Sequence, residues 1–314
     1  MLFKASAPGS MMLMGEYAVL HDKPALVCAI DKRVEVTLTP RTDDLIRIES
    51  DRLGLHQVFL KDLSIAKPFQ FILAAIQHYH AKINTGFDLK ITSQFSHQVG
   101  LGSSAAVTVA TLAVLIQWLK LRMGTTDFIR VARAVVREVQ GVGSGADVAA
   151  SVMGGVVLFQ AQPLSVEKIS VSLPLIAYYA GFKTPTPEAI AWVKARFENN
   201  VALFRHLCQA IAECVVSATA AVREQNFRLL GQLMSMHQGL HHALGVNLPV
   251  LSSMTDALCA EPHVFGAKIS GSGLGDCVIG LGKLTGDISL PATLTGVQRI
   301  HVNVSMEGVM CEAN

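Results

Sequence analysis

The sequence predicts an α+β protein, with a sheet-containing first half and a helical second half that reacquires strands, and three observations bear on that expectation. The first third alternates apolar and polar residues as strands do, with 26–38 (LVCAIDKRVEVTL) rich in β-branched side chains. From 187 to 258 the pattern reads as successive helices, and strand signals return at 267–270, 277–280 and 297–304. A length of 314 residues is too great for one small module and fits two packed domains or one large one.

Each element follows from local pattern. Segments 45–49 and 87–92 repeat the strand signal of 26–38. Between them, 68–82 has helical spacing, with Phe69, Ile72, Leu73 and Ile76 on one face. Helix-like runs follow at 104–120 and 127–140, then a strand-like GGVVLF from 154. Asn247, Leu248 and Pro249 read as a helix start, with Pro249 in the first turn. Met11, Met12 and Met14 are expected to pack into the core around an N-terminal strand.

Composition excludes several classes. Hydrophobic residues reach 51% and charged residues only 16%, so disorder is excluded. Lys+Arg is 26 against Asp+Glu 24, a balance that argues against a nucleic-acid partner. A mean hydropathy of +0.41 raises the question of a membrane. The most apolar stretch, 105–119, is shorter than the ~20 residues a spanning helix needs, so it is expected to be a buried core helix. No signal peptide and no CxxC pair are visible among six scattered cysteines, which points to a reduced, cytoplasmic protein.

Three glycine-rich segments stand out: Ala7-Pro8-Gly9-Ser10 with Gly15-Glu16-Tyr17; Gly100-Leu101-Gly102-Ser103-Ser104-Ala105-Ala106; and Ser270-Gly271-Ser272-Gly273-Leu274-Gly275-Asp276. The second ends where the apolar helix begins. Its amides and the positive end of the helix dipole face the loop, and two hydroxyls add donors and an oxygen ligand for Mg²⁺. That is an anion cradle, and equally a Ser-capped glycine turn. No Walker A string occurs, and no Gly-x-Gly-x-x-Gly opens a helix after a strand. A fourth feature, EVQGVGSGAD from Glu138 to Asp147, places a carboxylate in a second glycine-serine turn. Asp147 there can accept a proton from a substrate hydroxyl or cap a short helix 148–153, and locally the cap reading is favoured.

In this order the segments resemble the three motifs of the GHMP kinases, the superfamily of galactokinase, homoserine kinase, mevalonate kinase and phosphomevalonate kinase. APGSMMLMGEYAVLHDKPAL resembles the N-terminal motif, GLGSSAAVTVA the phosphate loop, and GAKISGSGLGDCVIGL the C-terminal glycine loop. The resemblance implies a two-domain fold with an ATP cleft, a nucleotide-binding domain over 1–165 and a helix-rich domain over 166–314. It implies ATP held by Gly100, Leu101, Gly102, Ser103, Ser104 and Ala105, and Mg²⁺ held by Ser104 and Glu138. It raises Asp147 from cap to catalytic base. Acceptor-binding residues implied are Glu16, Thr186, Gly271, Ser272 and Gly273. The branch is mevalonate-like, so the expected activity is phosphorylation of the 5-hydroxyl of mevalonate. Phosphomevalonate as acceptor, or a nucleotide-binding member with weak transfer, are the alternatives. A mevalonate-like small molecule is the expected partner, with neither nucleic acid nor membrane, and a homodimer is compatible.

One departure is plain. The family's N-terminal motif usually reads Ala-Pro-Gly-Lys, and here Ser10 stands in the lysine's place. Lys4, Lys23, Lys183 and Lys268 are the replacements left open. His237, His241 and His242 have helical spacing with no acidic helper nearby in sequence, and are expected on a solvated helix face.

Overall fold

Strands β1 (Phe3–Met14) and β2 (Ala25–Pro40) form the backbone of the first sheet, with β3 (Leu45–Ser50) and β4 (Gly54–Phe59) as a hairpin at its edge. The computed structural model describes residues 1–96, 99–291 and 294–313. Helix α1 (Gln70–His78) carries the chain back to β5 (Phe87–Ser93), which runs parallel to β3. Helices α2 (Ser103–Trp118), α3 (Thr125–Gln140) and α4 (Ala146–Met153) follow, then β6 (Val156–Gln160) and β7 (Ser165–Ile169). Across the sheet the order is β12–β1–β2–β5–β3–β4, with β6 joined to β2 and β7 to β6. Strand β2 is long enough to serve two partners: its first residues pair with β6, and 34–40 pair with β5.

The second half opens with β8 (Leu175–Tyr179) and runs through α5 (Thr186–Arg196), α6 (Val201–Arg223), α7 (Phe227–Leu244) and α8 (Pro249–Cys259). Strands β9 (Val264–Ser270), β10 (Cys277–Gly282) and β11 (Gln298–Ile300) complete a second sheet in the order β11–β8–β10–β9. The last strand, β12 (Met310–Ala313), returns to the first sheet beside β1.

Helix α2 is apolar on every side because it is covered on every side: β1 and β2 lie beneath it and α1, α3 and α4 surround it. It is the core helix that its sequence implied. Helix α3 has two faces, burying Phe128, Ile129, Ala132, Val135 and Val136 and leaving Arg130, Arg137 and Glu138 in solvent. The expected helical stretch 187–258 is α5 to α8. The strand signal at 297–304 shrinks to the three residues of β11, beyond which Val304 makes a single bridge to Ile30. The membrane question belongs to α6 instead of α2. Its 23 residues are long and apolar enough to cross a bilayer by composition, but Ile211, Val215, Ala218 and Val222 are buried, and α7 packs along the helix.

Candidate active site

The phosphate loop is closed against β1. The Ser10 amide donates to the Leu101 carbonyl at 3.0 Å. Gly102, at φ 67°, caps α2, and a Cβ there would fall 2.0 Å from Ser10 Oγ, so only glycine fits both the left-handed backbone and the space. The first-turn amides of α2 therefore open toward solvent-accessible space, with the half-buried Ser103 and Ser104 beside them.

Asp147 is the second residue of α4, which is capped by Gly145 at φ 93°. The cap reading is thus overturned: glycine takes the cap because the chain must turn left-handed there, and Asp147 is left inside the first turn. Ser10 Oγ donates to Asp147 Oδ1 at 2.8 Å. Burial pushes the Asp147 carboxyl up, opposed by the Ser10 hydrogen bond and by the charge of Lys183. A carboxylate raised in this way is suited to accept a proton.

Two cavities meet at this point. The smaller, about 190 Å³, has a mixed wall that includes Ser10, Glu16, Asp147, Lys183, Ser272 and Asp276. The larger, about 780 Å³, is bordered by Phe69, Phe71, Ile72, Ile91 and Val107 and carries Arg52 and Lys67. Both include Ser103, Ser104, Gln140, Lys183 and Thr186, so the N-terminus of α2 lies on their common border.

Behind the smaller cavity sits a buried charged cluster. Lys268 Nζ donates to Glu16 Oε1 at 2.6 Å and also to the Ile269 carbonyl. The Gly271 amide reaches the same Glu16 oxygen at 3.3 Å, and Tyr17 Oη donates to the Ser272 carbonyl at 2.5 Å. Glu16 Oε2 lies 3.5 Å from His237 Nε2 and 3.8 Å from His241 Nε2. Burial pushes Glu16 up and Lys268 down, and their contact opposes both shifts. The solvated face expected for the histidines is therefore wrong for two of them. His237 and His241 are fully buried and find their acidic partner 221 or more positions away, where no local pattern reveals it; only His242 is exposed. The three ligand atoms of Glu16, His237 and His241 lie within 4.8 Å of one another, a spacing that would suit a metal ion. Lys268 holds Glu16 Oε1 and the Gly15 amide donates to His237 Nε2 at 3.1 Å, whereas Glu16 Oε2 and both ring nitrogens of His241 have no hydrogen-bond partner among the described residues.

Burial first, then Lys268 for His237 and His237 with Lys268 for His241, hold both imidazoles well below their usual range. In the unfolded chain they titrate near 6.5. Below that pH the unfolded state binds protons that the fold refuses. Stability therefore falls with acidification, by up to about 1.4 kcal/mol per pH unit per imidazole. Replacing His237 and His241 by Gln should reduce the fall in melting temperature between pH 7 and pH 5; the same fall in both proteins would refute the assignment.

Other expected residues are placed unevenly. Gly100, Gly102, Ala105, Gly271 and Thr186 border the smaller cavity. Leu101 is buried with its carbonyl spent on Ser10, and Gly273 packs against Val246 outside the cavity wall. Glu138 is a correction: it lies on the exposed face of α3, and the α3 residues that reach the cavity are Val136 and Gln140. Of the replacements left open for the family lysine, Lys183 borders the cavity and Lys268 lies behind it, and Asp276, which ends the third glycine segment, joins them at the site. The signal in the sequence was an acidic residue ending the glycine loop; the structure adds that Asp276 sits there at φ 74°.

The family description "GHMP kinases N terminal domain" matches residues 70–155, and "GHMP kinases C terminal" matches 218–288. A mevalonate kinase of Pyrococcus abyssi is 31% identical over 331 residues, covering 99% of this chain and 98% of that protein. The chain belongs to the GHMP kinases. A mevalonate kinase of Thermococcus sibiricus is likewise 31% identical, with 98% of each chain covered. In fold, this GHMP kinase resembles the crystal structure of a Lin0012 protein from Listeria innocua at a TM-score of 0.85, with 19% identity and 100% of both chains covered. The phosphate loop and the third glycine loop fall inside the two matched segments. Ser10, Glu16 and Lys183 fall outside them.

Proposed function

We propose that this GHMP kinase transfers the γ-phosphoryl group of ATP to the 5-hydroxyl of mevalonate, with Asp147 accepting the hydroxyl proton. The observation that carries the reading is the meeting of the two cavities at the α2 N-terminus. The larger, with its aromatic and aliphatic wall, suits a nucleoside, and the phosphate loop lies where the triphosphate would cross into the smaller. There the acceptor hydroxyl would meet Asp147, whose Oδ1 is oriented by Ser10. Transfer of a phosphoryl group depends mainly on positioning and charge stabilisation, so a base that takes the proton late is sufficient.

Charge favours mevalonate over phosphomevalonate. The smaller cavity presents three carboxylates, Glu16, Asp147 and Asp276, against Lys183 at its wall and Lys268 behind Glu16. A dianionic phosphate would need several basic donors there, whereas mevalonate brings one carboxylate. Full-length relatives named mevalonate kinase support the same choice. Mg²⁺ belongs to the proposal. The oxygen donors at the cavity border, the hydroxyls of Ser103 and Ser104, suit a hard cation, and Glu138 is not among them. When bound, the ion would neutralise charge on the β- and γ-phosphate oxygens. Six free cysteines accord with a cytoplasmic enzyme. The test is ADP release with mevalonate, phosphomevalonate, galactose and homoserine. Mevalonate should give the highest kcat/KM, and a higher value for phosphomevalonate would overturn the choice.

A further inference from the structure

We propose that Lys183 is the cation of the transfer site and that Asp276 is the residue that positions it. The proposal rests on the kinase reading above.

Lys183 stands on the border common to both cavities, and among the described residues it is the one cationic side chain in the wall of the smaller. The other lysines considered are committed elsewhere. Lys4 pairs with Glu35 and Glu312 on the outer face of the sheet, and Lys23 bonds Gln209 on the surface. Lys268 is fully buried on Glu16. Arg52 and Lys67 line only the larger cavity. A phosphoryl group crossing from the α2 N-terminus toward Asp147 gathers negative charge among three carboxylates, so a cation at the crossing has the most to contribute. Lys183 is there, and its charge already reaches Asp147.

Its position is built into the fold. Lys183 Nζ lies 3.6 Å from Asp276 Oδ2. The backbone of Asp276 is stitched to the residues just before Lys183: its amide donates to the Phe182 carbonyl at 2.8 Å, and its carbonyl accepts from Ala180 at 2.8 Å. Thr184 Oγ1, on the other side of Lys183, donates to the Leu274 carbonyl at 2.6 Å. Asp276 is 4% exposed and its side chain rests on the phosphate loop, where a Cβ on Gly100 would fall 1.5 Å from Oδ1. Oδ1 has no hydrogen-bond partner among the described residues. A buried carboxylate so placed, in a left-handed backbone that disfavours it, is costly unless a cation compensates it. Lys183 is that cation. The pair ties the third glycine loop to the phosphate loop and holds the ammonium at the crossing.

The test is a double-mutant cycle of Lys183→Met and Asp276→Asn, read by steady-state ADP release and by calorimetric binding of Mg²⁺ with a non-hydrolysable ATP analogue. Lys183→Met should lower kcat by about 10²–10³, the cost of removing one charge-stabilising donor. Analogue affinity should move far less. Asp276→Asn should lower kcat about tenfold with KM for ATP and analogue affinity nearly unchanged, and should add almost nothing on top of Lys183→Met, because residues acting through one another are not additive. A Lys183→Met enzyme within threefold of the unsubstituted kcat overturns the assignment, as do fully additive losses. Collapse of Mg²⁺-analogue binding in Asp276→Asn would overturn the positioning role in favour of a direct one. Absence of turnover in the unsubstituted protein with every acceptor would overturn the kinase reading and this proposal with it, whereas normal turnover beside an unaffected Lys183→Met would remove this proposal alone.

Discussion

Asp147→Asn is expected to lower kcat on mevalonate by about 10²–10⁴-fold, the range for loss of one general base. The amide keeps the shape and can still accept the Ser10 hydrogen bond, so α4 and its Gly145 cap should hold. What disappears is the capacity to take a proton. KM for ATP should stay within about threefold, because Asp147 lies in the wall of the smaller cavity and not of the larger. The measurement is kcat and KM for each substrate, with a melting curve to exclude unfolding. An unchanged kcat would leave a mechanism without an enzymic base, in which the acceptor proton passes directly to the phosphate or to solvent.

The largest loss of stability should follow Glu16→Ala. Glu16 is 4% exposed and Lys268 fully buried, so removing the carboxylate strands an ammonium in the interior. Breaking a buried pair from one side typically costs about 3–5 kcal/mol, a large share of the ~5–15 kcal/mol that holds a domain together. The Gly271 amide and the two imidazoles would lose their shared neighbour as well. Urea unfolding of the variant should show the loss. Glu16→Gln combined with Lys268→Met should recover much of it, since no unpaired charge is then buried. A Glu16→Ala protein within about 1 kcal/mol of the unsubstituted stability would show that the ammonium escapes to water or loses its proton without penalty.

Much of this protein was determined by its sequence alone, wherever a decision was local. Period and run length placed α2, α3 and the α5–α8 series, because burying one face imposes that spacing on the chain. The glycine loops announced themselves for the same reason: Gly102 and Gly145 occupy left-handed backbone that few other residues adopt. Strand β8 (LIAYY) and the short edge strands β4 and β7 were not resolved from pattern, because a five- or six-residue run does not reveal its pairing partner.

Only the tertiary structure decided which charges meet. Glu138 was the nearest carboxylate along the chain, yet the amphipathic rotation of α3 that buries Val135 and Val136 turns it into solvent. His237 and His241 looked like a polar stripe until β1 brought Glu16 beneath them and β9 brought Lys268. Lys183 and Asp276, 93 positions apart, become neighbours through backbone bonds between the end of β8 and the start of β10. Hydrophobic periodicity is a property of neighbours along the chain and can be read from it. The partner of a buried charge is chosen by sheet register and helix rotation, and no single segment of sequence contains that choice.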